Sequence, residues 1–141
     1  IVKLSPNVTD IAYMAQVVEN EGADAISLIN TVLAMDIDIN KRRPVLNNVV
    51  GGLSGPAIMP IALRMVYEVF AAVDLPVIGM GGISSWQDAL KFMMAGASAC
   101  ALGTANFVDL SVIDHVASGL RQWCQKEGVN NITEIIGSAQ V

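Results

Sequence analysis

Short apolar runs of strand length alternate with longer segments of helical period along this chain, and each run ends on glycine or a small polar residue. No other feature constrains the fold as strongly, because consecutive parallel strands need a crossover of a dozen or more residues, usually a helix. Ile1–Leu4 reads as a strand, followed by a Ser5-Pro6-Asn7 turn. Thr9 or Asp10 can cap a helix to about Glu21, with Ile11, Met14, Ala15 and Val18 as its apolar stripe and Gly22 as its stop. Ala25–Ile29 is the second strand, with Asn30-Thr31 just past it. Pro76–Gly79 is the third, running into Met80-Gly81-Gly82, and Ser84 or Ser85 caps a helix to about Met94 that Ala95-Gly96 closes. Ala99–Leu102 is the fourth, tipped by Gly103-Thr104. The last long helix runs from Val112 to Glu127 and stops at Gly128, and a short helix is expected near Thr133–Ile136.

One connection breaks the rhythm. From Leu33 to about Pro56 the chain alternates through Asp36-Ile37-Asp38-Ile39, turns at Asn40-Lys41-Arg42-Arg43-Pro44, and closes on Gly51-Gly52-Leu53-Ser54-Gly55-Pro56. This pattern reads as an excursion, such as a hairpin, and long connections in compact domains are commonly functional. A helix follows over Ala57–Val73, with Ile58, Ile61, Ala62, Met65, Val66 and Val69 apolar. The stretch Gly22-Ala23-Asp24-Ala25-Ile26-Ser27-Leu28 is echoed by Gly96-Ala97-Ser98-Ala99-Cys100-Ala101-Leu102, as helix stop, short loop and strand. About four βα units therefore make an α/β fold, either half of a (β/α)₈ barrel or a small doubly wound sheet. Periodicity does not choose between them.

Composition narrows the function. Hydrophobic residues make up 53% and charged residues 15% of 141, too apolar for a disordered segment. The excess of apolar residues implies strands covered on both faces, or a surface meant for a partner. A net charge of −5 gives no footprint for nucleic acid or anionic lipid, and no apolar run is long enough for a membrane span. Two cysteines, Cys100 and Cys124, make neither a disulfide framework nor a metal cluster, and a reducing cytoplasmic setting is the expectation. Ile-Val-Lys-Leu-Ser-Pro reads as a strand already under way, so the chain is expected to be a fragment.

The polar and glycine residues fall in a pattern. Lys3 and Ser5, Asn30-Thr31, Gly81-Gly82 and Gly103-Thr104 all lie in or at the carboxyl ends of strands. Parallel strands carry those ends to one face, where α/β folds bind ligands. Gly81-Gly82 before a serine-capped helix, together with Gly103-Thr104, makes a phosphate cradle in which backbone N–H groups approach an anion. Neither a dinucleotide fingerprint nor a P-loop pattern is present. Lys3 is a cation inside an apolar strand, where it either reaches the rim or opposes a group that gains negative charge.

These residues also carry a resemblance. Val2-Lys3-Leu4-Ser5-Pro6-Asn7, Ile29-Asn30-Thr31, Gly51-Gly52-Leu53-Ser54-Gly55-Pro56, Gly79-Met80-Gly81-Gly82-Ile83 and Leu102-Gly103-Thr104-Ala105 resemble, in order and spacing, the motifs of the dihydroorotate dehydrogenases. The K-L-S-P-N form is most similar to the NAD-linked class 1B. The resemblance implies residues 1–141 as the C-terminal half of a single FMN-binding (β/α)₈ barrel that oxidises dihydroorotate to orotate in pyrimidine biosynthesis. It implies cofactor contacts from Lys3, near the flavin N1 and O2, and from Ile29, Ser54, Gly55, Gly81, Gly82, Gly103 and Thr104, the last four at the phosphate. Asn30 and Thr31 would hydrogen-bond the substrate. The implied partners are a second catalytic subunit and an electron-transfer subunit with FAD and a 2Fe-2S cluster, which passes electrons to NAD.

The pattern departs from the family at the general base, a cysteine expected upstream of Ile1. Cys100 sits mid-strand and Cys124 on the last helix, so both read as packing residues and the 141 residues alone are expected to be inactive. The alternatives are a self-associating half-barrel without activity, a dihydropyrimidine dehydrogenase-like domain, and a sugar-phosphate barrel half. His115 reads as a surface or capping residue without an evident acid partner, Trp86 and Trp123 as helix packing, and Lys41-Arg42-Arg43 as a solvated turn or a subunit contact.

Overall fold

A computed structural model describes residues 1–141. The chain opens with β1 (Val2–Leu4), α1 (Ile11–Asn20) and β2 (Ile26–Leu28). An excursion of four short strands follows: β3 (Val32–Ala34), β4 (Ile37–Asp38), β5 (Arg43–Pro44) and β6 (Gly51–Leu53). Then come α2 (Met59–Ala72), β7 (Val77–Met80), α3 (Trp86–Ala95), β8 (Ala99–Ala101), α4 (Ala105–Val108) and α5 (Val112–Glu127). The four strands foreseen from the alternation form one parallel sheet in the order β1-β2-β7-β8.

Register and burial define two unlike faces. Ile26, Leu28, Val77 and Gly79 share one face and are buried against α1, α2 and α3, whose Ile11, Ala15, Ala62, Val66, Val69 and Phe92 complete the core. Fully burying such side chains stabilises by roughly 1.5–3 kcal/mol each. Gly79 is a packing requirement, since a Cβ there would lie 2.6 Å from the Phe92 ring. The other face carries Lys3, Ser27, Ile78, Met80, Ala99 and Ala101, and Lys3 and Ala99 are exposed. The expectation of strands covered on both faces therefore gives way to a sheet with helices on one face, whereas a doubly wound sheet carries them on both.

Local chemistry explains most boundaries. The Asp10 carboxylate accepts the Tyr13 N–H and caps α1, while Ser85 and Asp88 form a reciprocal capping box that starts α3. Gly128, in the left-handed region, ends α5. The excursion is a hairpin: β3 pairs antiparallel with β6, and β4 with β5. At its tip the Asp38 carboxylate accepts the N–H groups of Asn40 and Lys41 and pairs with the Lys41 ammonium at 3.3 Å.

Several expectations need correction. Pro56 starts a 3₁₀ turn, Pro56–Ile58, so the α-helix begins at Met59 rather than Ala57. Met14 and Ile61 lie outside their buried stripes and are exposed, because the apolar faces of α1 and α2 are narrower than the apolar spacing implied. The final short helix is a 3₁₀ turn over Ile132–Ile135. The short α4 was not foreseen: it lacks an apolar period, and Phe107 and Val108 stand exposed at 93% and 87%.

Candidate functional site

At the carboxyl ends of β1, β2, β7 and β8 lies a cleft of about 520 Å³, within the usual range for small-ligand sites. Its walls include Lys3 from β1, Ile29, Asn30 and Thr31 after β2, Ser54 and Gly55 after the hairpin, Gly81 and Gly82 after β7, and Gly103 and Thr104 after β8. Every residue that the resemblance assigns to cofactor or substrate thus lines one cavity, whereas Ser5, singled out by its strand-end position, does not. Reasoning from sequence missed Met80, Ser84, Val108, Asp109 and Val112 in the same lining. Met80 had a readable signal, since it alternates with Ile78 on the open sheet face; Val108 and Asp109 depend on the unforeseen α4.

Backbone hydrogen bonds fix the walls. The Ile29 N–H donates to the Met80 carbonyl and the Asn30 N–H to the Leu4 carbonyl, both at 3.0 Å, so the segment after β2 is held from both sides. The loop after β7 needs glycine. Gly82 has φ +77°, and a Cβ there would stand 2.7 Å from the Gly55 carbonyl oxygen and 2.8 Å from the Met59 Cβ. Gly81 has φ +130° and is closed in by Ala62 in the same way. The loops after β6 and β7 therefore touch backbone to backbone. Across the cleft the Thr104 hydroxyl donates to the Ser54 hydroxyl at 2.7 Å, tying the end of the hairpin to the tip of β8.

Two features point to an anion. The N–H groups of Gly81, Gly82, Gly103 and Thr104 donate to no acceptor of the protein. Backbone donors without partners are tolerated where water or a ligand meets them. Lys3 is the cleft's single cation and forms no ion pair. The one acid in the lining, Asp109, is already engaged: Ser111 donates from its hydroxyl at 2.6 Å and its N–H at 2.9 Å, and His115 Nδ1 lies at 3.1 Å. Hydrogen bonds from the Ser111 hydroxyl and N–H hold the Asp109 carboxyl below the usual range. His115 does have an acid partner, contrary to the sequence reading; the pair lay hidden because six residues separate them across a helix start.

Neither cysteine reaches the cleft lining. Cys100 lies in register with Gly79 on the helix-covered face, and its thiol points at the Ala89 carbonyl, 3.6 Å away. Burial pushes that thiol up to about 12, so it is protonated at neutral pH. No group of three or more His, Cys, Asp or Glu comes together as a metal site.

Comparison with known proteins decides the family. The dihydroorotate dehydrogenase family model matches residues 1–123. The chain belongs to the dihydroorotate dehydrogenase family. It is 55% identical over all 141 residues to the dihydroorotate dehydrogenase B (NAD(+)) catalytic subunits of Parabacteroides distasonis and Bacteroides fragilis, and 54% identical to that of Geotalea daltonii. In each case the alignment covers the whole chain and 46% of the relative, so the chain spans about half the length of the curated relatives it matches. In this dihydroorotate dehydrogenase segment Lys3-Leu4-Ser5-Pro6-Asn7 spans the end of β1 and its loop, and no helix is long and apolar enough to cross a membrane.

Proposed function

We propose that residues 1–141 form the C-terminal four βα units of a (β/α)₈ barrel, and that the whole protein oxidises dihydroorotate to orotate with FMN. The observation that carries this reading is the convergence of the strand-end residues on one cleft with unpartnered N–H groups at one end and Lys3 on its floor. A parallel sheet with helices on one face only supports the barrel, since barrel strands turn their other face to the interior. The sheet edges at β1 and β8 are where further barrel strands would pair.

The donor set fits FMN. Gly81, Gly82, Gly103 and Thr104 would hold its phosphate through backbone N–H groups, and the absence of Cβ atoms at the glycines lets the anion approach. Ile29, Ser54 and Gly55 would contact the isoalloxazine, and Lys3 would set a positive charge beside it. FMN supplies a hydride acceptor when bound. Asn30 and Thr31 would hold the pyrimidine by hydrogen bonds, with the Asn30 amide able to donate and accept on one heterocycle edge. Cys100 is unsuited to removing a proton from substrate, being turned into the helix layer and protonated at neutral pH, and by the family resemblance the general base would be a cysteine outside these residues. Electrons would leave through a partner subunit carrying FAD and a 2Fe-2S cluster, then pass to NAD. A homodimer of catalytic subunits and a cytoplasmic setting complete the proposal.

The test is product analysis on the full-length protein that contains this chain. Stoichiometric FMN by visible absorption, and orotate formed from dihydroorotate but no uracil from dihydrouracil, are the expected results. A flavin-free protein, or oxidation of dihydrouracil in preference, would overturn the assignment.

A further inference from the structure

The geometry points to Asn7 as the positioning residue for the substrate-holding segment Asn30-Thr31. This inference rests on the proposal that those two residues meet the pyrimidine. Asn7 lies in the turn after β1 and contributes nothing to the cleft lining, yet both halves of its amide are spent on the segment after β2. Its Nδ2 donates to the Thr31 carbonyl at 3.1 Å, across 24 residues of sequence, and its Oδ1 accepts the Leu33 N–H at 2.9 Å. A side-chain amide that donates to one residue and accepts from the next but one imitates a neighbouring strand. The chain at 31–33 is thereby paired where β1 has already ended.

Asn7 is itself held. The Ser5 hydroxyl accepts both its N–H and its Nδ2, each at 3.2 Å, which fixes the amide plane. From the opposite side, the Thr31 side chain fills the space left by Gly52, where a Cβ would overlap the threonine Oγ1 and Cβ. Gly52 is paired with Leu33 across the β3–β6 ladder. Thr31 is thus clamped through its carbonyl by the β1 turn and through its side chain by the hairpin. The clamp sets where its hydroxyl is presented, while of the FMN-facing residues only Ile29 shares this segment, and it is held separately by its N–H on the Met80 carbonyl at 3.0 Å. Loss of Asn7 should therefore weaken the pyrimidine site and spare the cofactor site.

The experiment uses the full-length catalytic chain with its electron-transfer partner, as wild type, Asn7→Ala and Asn7→Asp. Flavin content, kcat, KM for dihydroorotate and orotate affinity are measured, together with hydrogen exchange at the Leu33 amide. In Asn7→Ala, the KM and the orotate Kd should rise about ten-fold, the scale of one to two net hydrogen bonds, with FMN per chain unchanged. Leu33 exchange should quicken. Asn7→Asp retains an acceptor for the Leu33 N–H but sets an oxygen against the Thr31 carbonyl, so it should restore Leu33 protection without restoring the KM. An unchanged KM and orotate affinity in an Asn7→Ala enzyme, or flavin lost in step with the KM, would overturn the positioning role. Unaltered Leu33 exchange would remove the clamp itself. A wild-type protein that fails to oxidise dihydroorotate, while Leu33 still exchanges faster in Asn7→Ala, would sink the proposed reaction and leave the clamp supported.

Discussion

Replacing Gly82 with alanine puts the closest backbone contact of the site to a quantitative test. Two costs add. An L-residue held in the left-handed region loses about 1–2 kcal/mol, and Gly82 sits there at φ +77°. The added Cβ would also stand 2.7 Å from the Gly55 carbonyl oxygen, 2.8 Å from the Met59 Cβ and 3.0 Å from the Met59 nitrogen. Two of those three neighbours are backbone, so relief requires the loop after β6 to move, an overpacking cost of about 1–3 kcal/mol. The sum is roughly 2–5 kcal/mol, a large fraction of the ~5–15 kcal/mol that domains possess. Gly22 is the matched control: its φ is +86°, and a Cβ there meets nothing within 4 Å. Gly22→Ala should show the torsional cost alone. The assay is urea unfolding of both variants, read as a change in midpoint at constant m-value. Equal losses at the two positions would refute the claim that Gly82 is required by the approach of Gly55.

Two further outcomes follow from local electrostatics. Ser85→Ala should cost about 1 kcal/mol by removing the cap of α3, seen as a lower midpoint in the same unfolding assay. The capping box should also be acid-sensitive. Burial opposes ionisation of Asp88, but hydrogen bonds from Ser85 and Ser84 and the nearby Lys91 ammonium outweigh it and keep the carboxyl below its ordinary value of 3.8. A depressed acid stabilises the fold above its unfolded pKa and loses that contribution as pH falls through the folded one. The stability difference between wild type and Asp88→Asn should therefore narrow below about pH 4, and a difference constant from pH 6 to pH 2 would contradict it. Iodoacetamide at pH 8 should label Cys124 and leave Cys100 untouched, because the Cys100 thiol is pushed up to about 12 by burial. Peptide mass mapping reads this directly, and rapid labelling of Cys100 in the folded chain would contradict its placement in the helix layer.

The elements that could be read from sequence are those whose signals are local. Asp10, Ser85, Gly22, Gly96 and Gly128 mark helix ends because capping and left-handed backbone are properties of a few consecutive residues. The strand-end positions of Asn30, Gly81 and Thr104 were equally legible, since parallel topology carries every strand end to one side regardless of sequence distance. What lay hidden depends on contacts between distant residues. No spacing rule links Thr104 to Ser54 or Asn7 to Thr31, although both pairs shape the cleft. Nor does composition tell which face of a short strand is covered: Ile26, Ser27 and Leu28 are all buried, the serine between two apolar neighbours.

The unlike faces of the sheet account for the position of Lys3. Its register partner is Ser27, and both belong to the face that carries Ile78 and Ala99 rather than to the helix-covered face of Ile26 and Leu28. Moved by one residue, the ammonium would enter the layer packed by Ala15, Val66 and Phe92, where an unpaired charge costs far more than a strand of three residues can offset. Alternation along β1 thus obliges a cation at this position to face the open side. On that side no acidic residue neutralises it, and the only carboxylate of the cleft is already held by Ser111 and His115. A charge kept free in this way strengthens as water is excluded around it. The same sheet that buries its aliphatic face against three helices therefore presents, on the other, a single uncompensated positive charge to whatever anion the cleft receives.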